Sequence, residues 1–437
     1  MKRKTMKLAL AAFALTAMPV IAPAISYAAP AAAPSPEMRQ LTASATAKTV
    51  AADIDRNRDW ANRTLVEIGG IISPSGQEQE RAAKVAEAMR AIGLSDVEVT
   101  GEPNVIGRIP GRSGKALVFV STLDDLATVA EFQKASGKPP VIEGDRIVGP
   151  GTNTSLTTVS MLTAAAALQR AGVRPKHDLV FAAVAQEETG LDGMRALYDQ
   201  YRDRAIGFVD ILGDGQSIAY GALAIHWWKV VATGPAGHTL NGGLPNVNQA
   251  IARAVDRILT LPQPETHKAR STRVNVAILR SGAVFNHKPE TGWFSLDIRS
   301  LDAPVVASIE ADVRRILQQV SAETGIALKM EEENITPGGQ IPGALETPLV
   351  RWSYAAAAQI GSEGVLQNSG SANLNIAIAN GTSAVGLGGE RGGDRGFASE
   401  WASSDTMMRT AHLVSLIALG VGNDARPPAL PGASGGK

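Results

Sequence analysis

The sequence predicts an α/β fold, a mostly parallel sheet with helices on both faces, interrupted by a small α+β insert. Three observations carry this. Apolar runs of strand length at 116–121, 179–185 and 205–212 lack the alternation of a half-solvated strand, so they read as strands buried on both faces. Helical spacing separates them at 155–170 and 193–201, and the order strand, helix, strand, helix calls for parallel neighbours joined by crossovers. Beyond Ala222 the pattern changes: segments 226–233, 272–279 and 291–300 read as strands of an antiparallel sheet, with helices predicted at 246–261 and 305–324.

The remaining elements follow in order. Lys2, Arg3, Lys4 and Lys7 precede an apolar stretch ending in Ser26-Tyr27-Ala28, which reads as a cleaved export signal over 1–28 and places the protein in the periplasm or outside the cell. Pro19 and Pro23 argue against a retained membrane helix, and no later run is long enough to span a bilayer. Residues 29–48, rich in Ala, Pro, Ser and Thr, read as a flexible tether. An α/β domain is expected over 49–222 and again over 336–423, with the insert over 223–335 between its halves. In the first half, Ala82, Val85, Ala86, Met89 and Ile92 repeat at helical spacing and Gly93 suits a C-cap. In the second, a helix is expected at 348–360, a strand at 384–388 and a last helix at 404–419. The Pro/Gly-rich tail 424–437 is expected to be disordered.

Composition excludes several function classes. With no cysteine there is no disulfide, thiolate metal site or cysteine nucleophile. Lys plus Arg and Asp plus Glu each number 42; loss of the signal removes four positive charges and leaves 38 basic residues. A mildly acidic chain without a basic cluster gives no reason to expect a nucleic-acid partner.

The stretch that carries chemistry is Gln186-Glu187-Glu188, where the apolar run 179–185 stops at two adjacent carboxylates. Ligands in open α/β sheets sit beyond the carboxyl ends of the strands, so these acids are either a general base and a metal ligand or two solvated charges at a strand end. Ser121, Ser155 and Ser371 lie in no Gly-x-Ser-x-Gly elbow, which argues against a serine nucleophile.

Several motifs recur in one order: Pro74-Ser75-Gly76-x-Glu78, Thr122-Leu123-Asp124, the Gly149–Thr154 loop, Glu187-Glu188, Gly213-Asp214-Gly215, the Gly234–Thr239 loop, Asn286, Asp297-Ile298-Arg299 and Glu400-Trp401. Together they resemble the dinuclear-zinc metallopeptidase family twenty, which includes aminoacylases, carboxypeptidase G and succinyl-diaminopimelate desuccinylase. The resemblance implies a catalytic α/β domain carrying a lid that dimerises, two zinc ions sharing a water, and a small peptide or N-acyl amino acid as substrate. It makes Glu187 the general base, Glu188 a metal ligand, and Asp214 a second ligand with Asp210 the weaker candidate. It makes His238 the lid histidine that reaches the reacting carbonyl, often in the partner subunit, and Asn286 and Arg299 the pair holding the substrate's carboxylate.

The pattern departs from the family at three ligand positions. Thr122 stands where the first histidine belongs, Thr154 where the bridging aspartate belongs and Gly396 where the last histidine belongs. The loop Ser371-Ala372-Asn373-Leu374-Asn375 is altered as well. Zinc is therefore expected to be absent or weakly bound, with Asp125 or Asp394 as makeshift ligands. His177, His226, His267 and His412 read as structural or surface residues. Two functions remain open: a hydrolase working with an altered site, or a non-catalytic relative that binds a carboxylate-bearing peptide or amino-acid derivative or pairs with an active homologue.

Overall fold

The computed structural model describes residues 34–262 and 264–430; the signal-type segment, the start of the tether and the end of the tail lie outside them. The centre of the molecule is an eight-stranded sheet. Four parallel strands lie side by side at its middle, in the order Asp178–Val184, Ala116–Thr122, Ala205–Ile211 and Ala384–Gly388. Every residue of the first two is buried, as their unbroken apolar runs require. Phe119 and Phe181 stack across these neighbours at 5.5 Å between ring centroids. Antiparallel strands finish the edges: Ser95–Val99 and Val105–Ile109 on one side, Ser217–Ala219 with its parallel neighbour Val365–Gln367 on the other. Because the four central strands run the same way, Thr122, Val184, Ile211 and Gly388 end along one rim.

Helices cover both faces. The helix Thr152–Arg170 is buried from Thr152 to Leu168 and packs against Arg58–Gly69 and Ser404–Val421. It begins three residues before the expected start at Ser155, since Gly151 at φ 93° turns the chain directly into it. A side chain at Gly151 would lie 2.4 Å from both Gln133 and the Gly69 carbonyl, so only glycine fits that turn. The opposite face carries Asp192–Tyr201 and Leu374–Ala379, joined to the sheet through Met194, Leu197, Leu374 and Ile378.

The insert forms its own layer pair. Ala224–Thr233, Thr291–Ser300 and Ala327–Thr336 make an antiparallel sheet with two short strands, Arg273–Asn275 and Leu279–Ser281. The helices Val247–Leu259 and Ala303–Thr324 bury one face of it around Val230, Phe294, Leu296 and Ile298. The single strand expected over 272–279 is broken because the Ser295 hydroxyl accepts the N–H groups of Ala277 and Ile278, taking them out of the ladder. The other face stays open and presents Trp227 and Trp293.

The structure corrects two expectations at the termini. Much of the segment 29–48 is no tether: Pro36–Ala43 and Ala45–Arg56 are helices, capped by the Ser35 and Ser44 side chains. Met38 and Ile54 bury completely, so these helices belong to the core. The tail starts on the body of the protein, where Asp424 pairs with Lys176 at 2.5 Å and the Ala425 carbonyl accepts the Trp352 indole N–H at 3.3 Å. Met38→Ala should therefore destabilise the protein by about 2–4 kcal/mol in denaturant unfolding, where a tether residue would change nothing.

Candidate functional site at the strand ends

The rim of the four parallel strands gathers acids. Asp124 follows the strand ending at Thr122 and is fully buried. Its oxygens accept the Glu187 N–H at 2.9 Å, the Glu188 N–H at 3.0 Å and the Ser75 hydroxyl at 2.5 Å. Asp124 thus fixes the Glu-Glu loop. Glu78 helps, its carboxylate accepting the Gly76 N–H at 2.8 Å and the Gln186 N–H at 3.0 Å. Gln186 sits at φ 57°, and this turn brings the two glutamates to the rim.

Glu187 and Glu188 are half-buried there. Burial pushes the Glu187 carboxyl up to about 8, helped by the negative charges of Glu188, Asp210 and Asp124 and opposed by Arg395. Burial likewise raises Glu188, whose carboxylate forms an ion pair with Arg395. Asp210, buried near the end of its strand, is pushed up to about 7 despite hydrogen bonds from the Leu374 N–H at 3.0 Å and the Asn373 amide at 3.4 Å. The same Asn373 amide reaches the Thr122 hydroxyl at 3.3 Å.

Asp214, expected as the second ligand, is fully buried and already partnered. It forms an ion pair with Arg409 and accepts the Glu390 N–H at 3.2 Å. Of the two acids near that strand end, Asp210 is the one whose charge acts on Glu187. Asp125 is not free to serve as a makeshift ligand, since Arg81 holds it at 2.6 Å with both side chains buried. Asp394 is exposed and joins none of these carboxylates.

Glu400 binds together the loops that carry two of the altered positions. One carboxylate oxygen accepts the N–H groups of Gly151 at 2.9 Å and Asn153 at 3.1 Å, at the start of the helix carrying Thr154. The other accepts the Gly396 N–H at 3.0 Å. A carboxylate suits a helix N-terminus, where backbone N–H groups lack partners. Gly396 itself lies at φ 85°, a conformation any other residue would adopt only with strain.

Three arginines escaped the sequence reading: Arg391, Arg395 and Arg409. The first two lie in the glycine-rich loop Gly389–Gly396 that follows the last parallel strand. Two arginines within that loop were a visible signal. Burial lowers Arg391 to about 10, reinforced by the like charge of Arg395 and opposed by Glu187, Glu188 and Glu400.

In the insert the structure joins His238 and Asn286, whose side chains meet at 3.0 Å, and adds His287, 3.0 Å from Asn286 and edge-on to His238. It does not bring Arg299 to them. Arg299 lies toward the far end of the strand Thr291–Ser300, roughly 26 Å along it from Thr291, and is held by Asp297 at 2.9 Å. Three other histidines bond within the scaffold, His177 to Ser113, His226 to Glu310 and His412 to Asp55. Glu333 lines two cavities, one of about 510 Å³ beside Thr189 and Arg195 and one of about 550 Å³ walled by Trp227, Trp228, Trp293 and Ile278.

Comparison with known proteins places this arrangement. The sequence profile of peptidase family M20/M25/M40 matches residues 126–419. Carboxypeptidase G2 of Pseudomonas sp. (strain RS-16) is 28% identical over 201 residues, which is 45% of this chain and 47% of that protein, so the match spans about half its length. Succinyl-diaminopimelate desuccinylase of Corynebacterium glutamicum is 24% identical over 282 residues, 62% of this chain and 74% of that one. Among solved structures, aminopeptidase PepT from Bacillus cereus has a TM-score of 0.70 at 20% identity, covering 84% of this chain and 99% of its own. The Bacillus subtilis YXEP protein, described as a dinuclear metal binding peptidase, has a TM-score of 0.63 at 14% identity, covering 84% of this chain and 99% of its own. At those identities the structural likeness is one of fold.

The raised carboxyls set a pH dependence of stability. The folded protein keeps protons on Glu187 and Asp210 that the unfolded chain releases above about pH 4 to 4.5, so stability falls as pH rises from about 5 to 8. Glu187→Gln should flatten that slope by about 2–3 kcal/mol across the window, and adding Asp210→Asn should flatten it further, as read from urea unfolding at successive pH values.

Proposed function

The chain belongs to peptidase family M20/M25/M40, and from that premise we propose that it is an exported member that holds a small peptide or N-acyl amino acid by its carboxylate without hydrolysing it through a two-zinc centre. The observation that carries this reading is the ion pair between Glu188 and Arg395, which puts a guanidinium on the carboxylate expected to bind metal.

The donor set does not fit two zinc ions. Such a pair needs imidazole or carboxylate donors and an anion between the metals, and Thr122, Thr154 and Gly396 supply none of these. Glu188 and Asp214 each have an arginine already. An arginine can neutralise a carboxylate, but it does not activate water as a coordinating metal does.

Ligand binding has more support. The scaffold of the cleft is intact through Glu78, Asp124 and Glu400, and the recognition residues His238, Asn286 and Arg299 are present. His238 and Asn286 lie just outside the start of the strand Thr291–Ser300 and Arg299 near its end, so a single subunit does not bring both to one small ligand. A homodimer through the insert, in which one copy's His238 loop serves the other's cleft, accommodates that separation. Leu240, Leu244 and Phe285 beside it are strongly exposed, as an unpaired contact would be. Export rests on the basic and apolar segment 1–28; among the described residues no helix is long and apolar enough to cross a membrane.

A second reading, hydrolysis by a changed mechanism, draws on Glu187, whose carboxyl near 8 suits a general acid or base. Elemental analysis of the purified protein, with a hydrolysis panel of dipeptides and N-acyl amino acids, separates the two. We expect no stoichiometric zinc, no turnover, and a ligand-induced rise in Tm. Stoichiometric zinc with turnover that Glu187→Gln abolishes would sink the binding reading. Turnover without metal, equally dependent on Glu187, would favour the second one.

Restoring the ligands is a further check. Thr122→His, Thr154→Asp and Gly396→His together should gain zinc only when Arg395→Ala also frees Glu188. The backbone at Gly396 should cost that variant about 1–3 kcal/mol in stability.

A further inference from the structure

The glycine-rich loop after the last parallel strand holds a charge that the site has not otherwise used. Arg391 is anchored on both sides: the Glu390 N–H donates to Asp214 at 3.2 Å, and the Arg391 carbonyl accepts the Ser403 N–H at 2.9 Å. It is half-buried among Glu187, Glu188, Glu400 and Arg395. Of the rim acids, Glu188, Asp214 and Asp125 are matched by Arg395, Arg409 and Arg81, and Glu187 is the carboxyl that burial pushes up to about 8, so it tends to keep its proton. The Arg391 guanidinium, by contrast, makes no ion pair and no side-chain hydrogen bond with any described residue.

Arg391 is only half-buried, so water still reaches a guanidinium to which the described residues offer no hydrogen-bond acceptor, and a bound anion could take the place of that water. Two explanations are open. Its stem could be packed for shape alone, leaving the charge incidental. Otherwise the charge awaits an anion that the protein itself does not supply.

We propose that Arg391 is the ligand anchor of this cleft, taking a carboxylate of the bound peptide or N-acyl amino acid at the strand ends where the family's metals would lie. The inference rests on the binding reading above and deepens it by naming the group that does the holding. A guanidinium presents five N–H donors in a planar fork that matches a carboxylate's two oxygens. One negative charge is what this place can accept: Glu188 and Glu400 lie close enough to act on Arg391, and a phosphate dianion would be repelled by them. Arg299, held by Asp297 on the sheet of the insert, remains a separate anchor.

Isothermal titration of the full chain tests this with a panel of N-acetyl amino acids and dipeptides, each paired with its C-terminal amide, and with inorganic phosphate. The acids should bind and the amides and phosphate should not. Arg391→Gln should weaken the binding roughly 30-fold or more, and Arg391→Lys should keep part of it. Unliganded Arg391→Gln should melt no lower than the wild type, since it removes a charge without a partner; a purely structural arginine would lower the Tm instead. Acid binding that survives Arg391→Gln while Arg299→Gln abolishes it would overturn the inference and leave the binding reading standing. Preference for phosphate over the acids would overturn the carboxylate assignment. No acid binding to the wild type would overturn both, as would the zinc-dependent turnover described above.

Discussion

The structure depends on charge compensation at one rim of one sheet. Four parallel strands end together, and with the loops that follow them they bring Asp124, Asp125, Glu187, Glu188, Asp210, Asp214 and Glu400 to the same end. Burying that many acids is possible only if each finds N–H donors, a cation or a proton. All three solutions are used. Asp124 and Glu400 take backbone N–H groups, and Asp125, Glu188 and Asp214 take arginines. Glu187 and Asp210 are the ones pushed up to about 8 and about 7, where each holds its proton over part of the neutral range.

The compensation also sets the shape of the cleft. Asp124 can hold the Glu-Glu turn only because its own strand lies beside the strand Asp178–Val184 in parallel register, Thr122 opposite Val184. Glu400 closes the other side, joining the start of the helix Thr152–Arg170 to the loop that carries Gly396. These acids act through backbone N–H groups, so they position the walls whatever stands at Thr122, Thr154 and Gly396. A cleft built in this way keeps its form when the groups inside it change.

Much of the fold is legible because burial on two faces leaves a sequence signature. The central strands and the helix Thr152–Arg170 appear as apolar runs and helical spacing, and the insert as a change of period. The helices Pro36–Ala43 and Ala45–Arg56 were hidden by their composition, for an Ala/Thr/Ser stretch resembles a linker until Met38, Val50 and Ile54 find a surface. Ser35 before Pro36, and Ser44, were readable caps. Within the site, Glu187 and Glu188 could be placed from a strand end alone. The choice between Asp210 and Asp214 could not, because it depends on which way the chain turns after the strand. The arginine pairs were out of reach for a different reason: Arg395 meets Glu188 across 207 residues, and long side chains on loops carry no periodicity.

A guanidinium on a carboxylate at a strand end differs from a metal ion in the chemistry it supports. Both are cations and both can neutralise carboxylates at a strand end. A metal also accepts a lone pair, so it can bind water and favour hydroxide. A guanidinium has only N–H groups to offer and keeps its proton throughout the physiological range, so it binds anions but does not make a nucleophile. On the binding reading proposed above, recognition without hydrolysis would follow from that one difference. With Arg395 on Glu188, Arg409 on Asp214 and Glu187 tending to stay protonated, the rim is close to electrically satisfied. Arg391 is the exception, and a ligand's carboxylate is the group that would complete it.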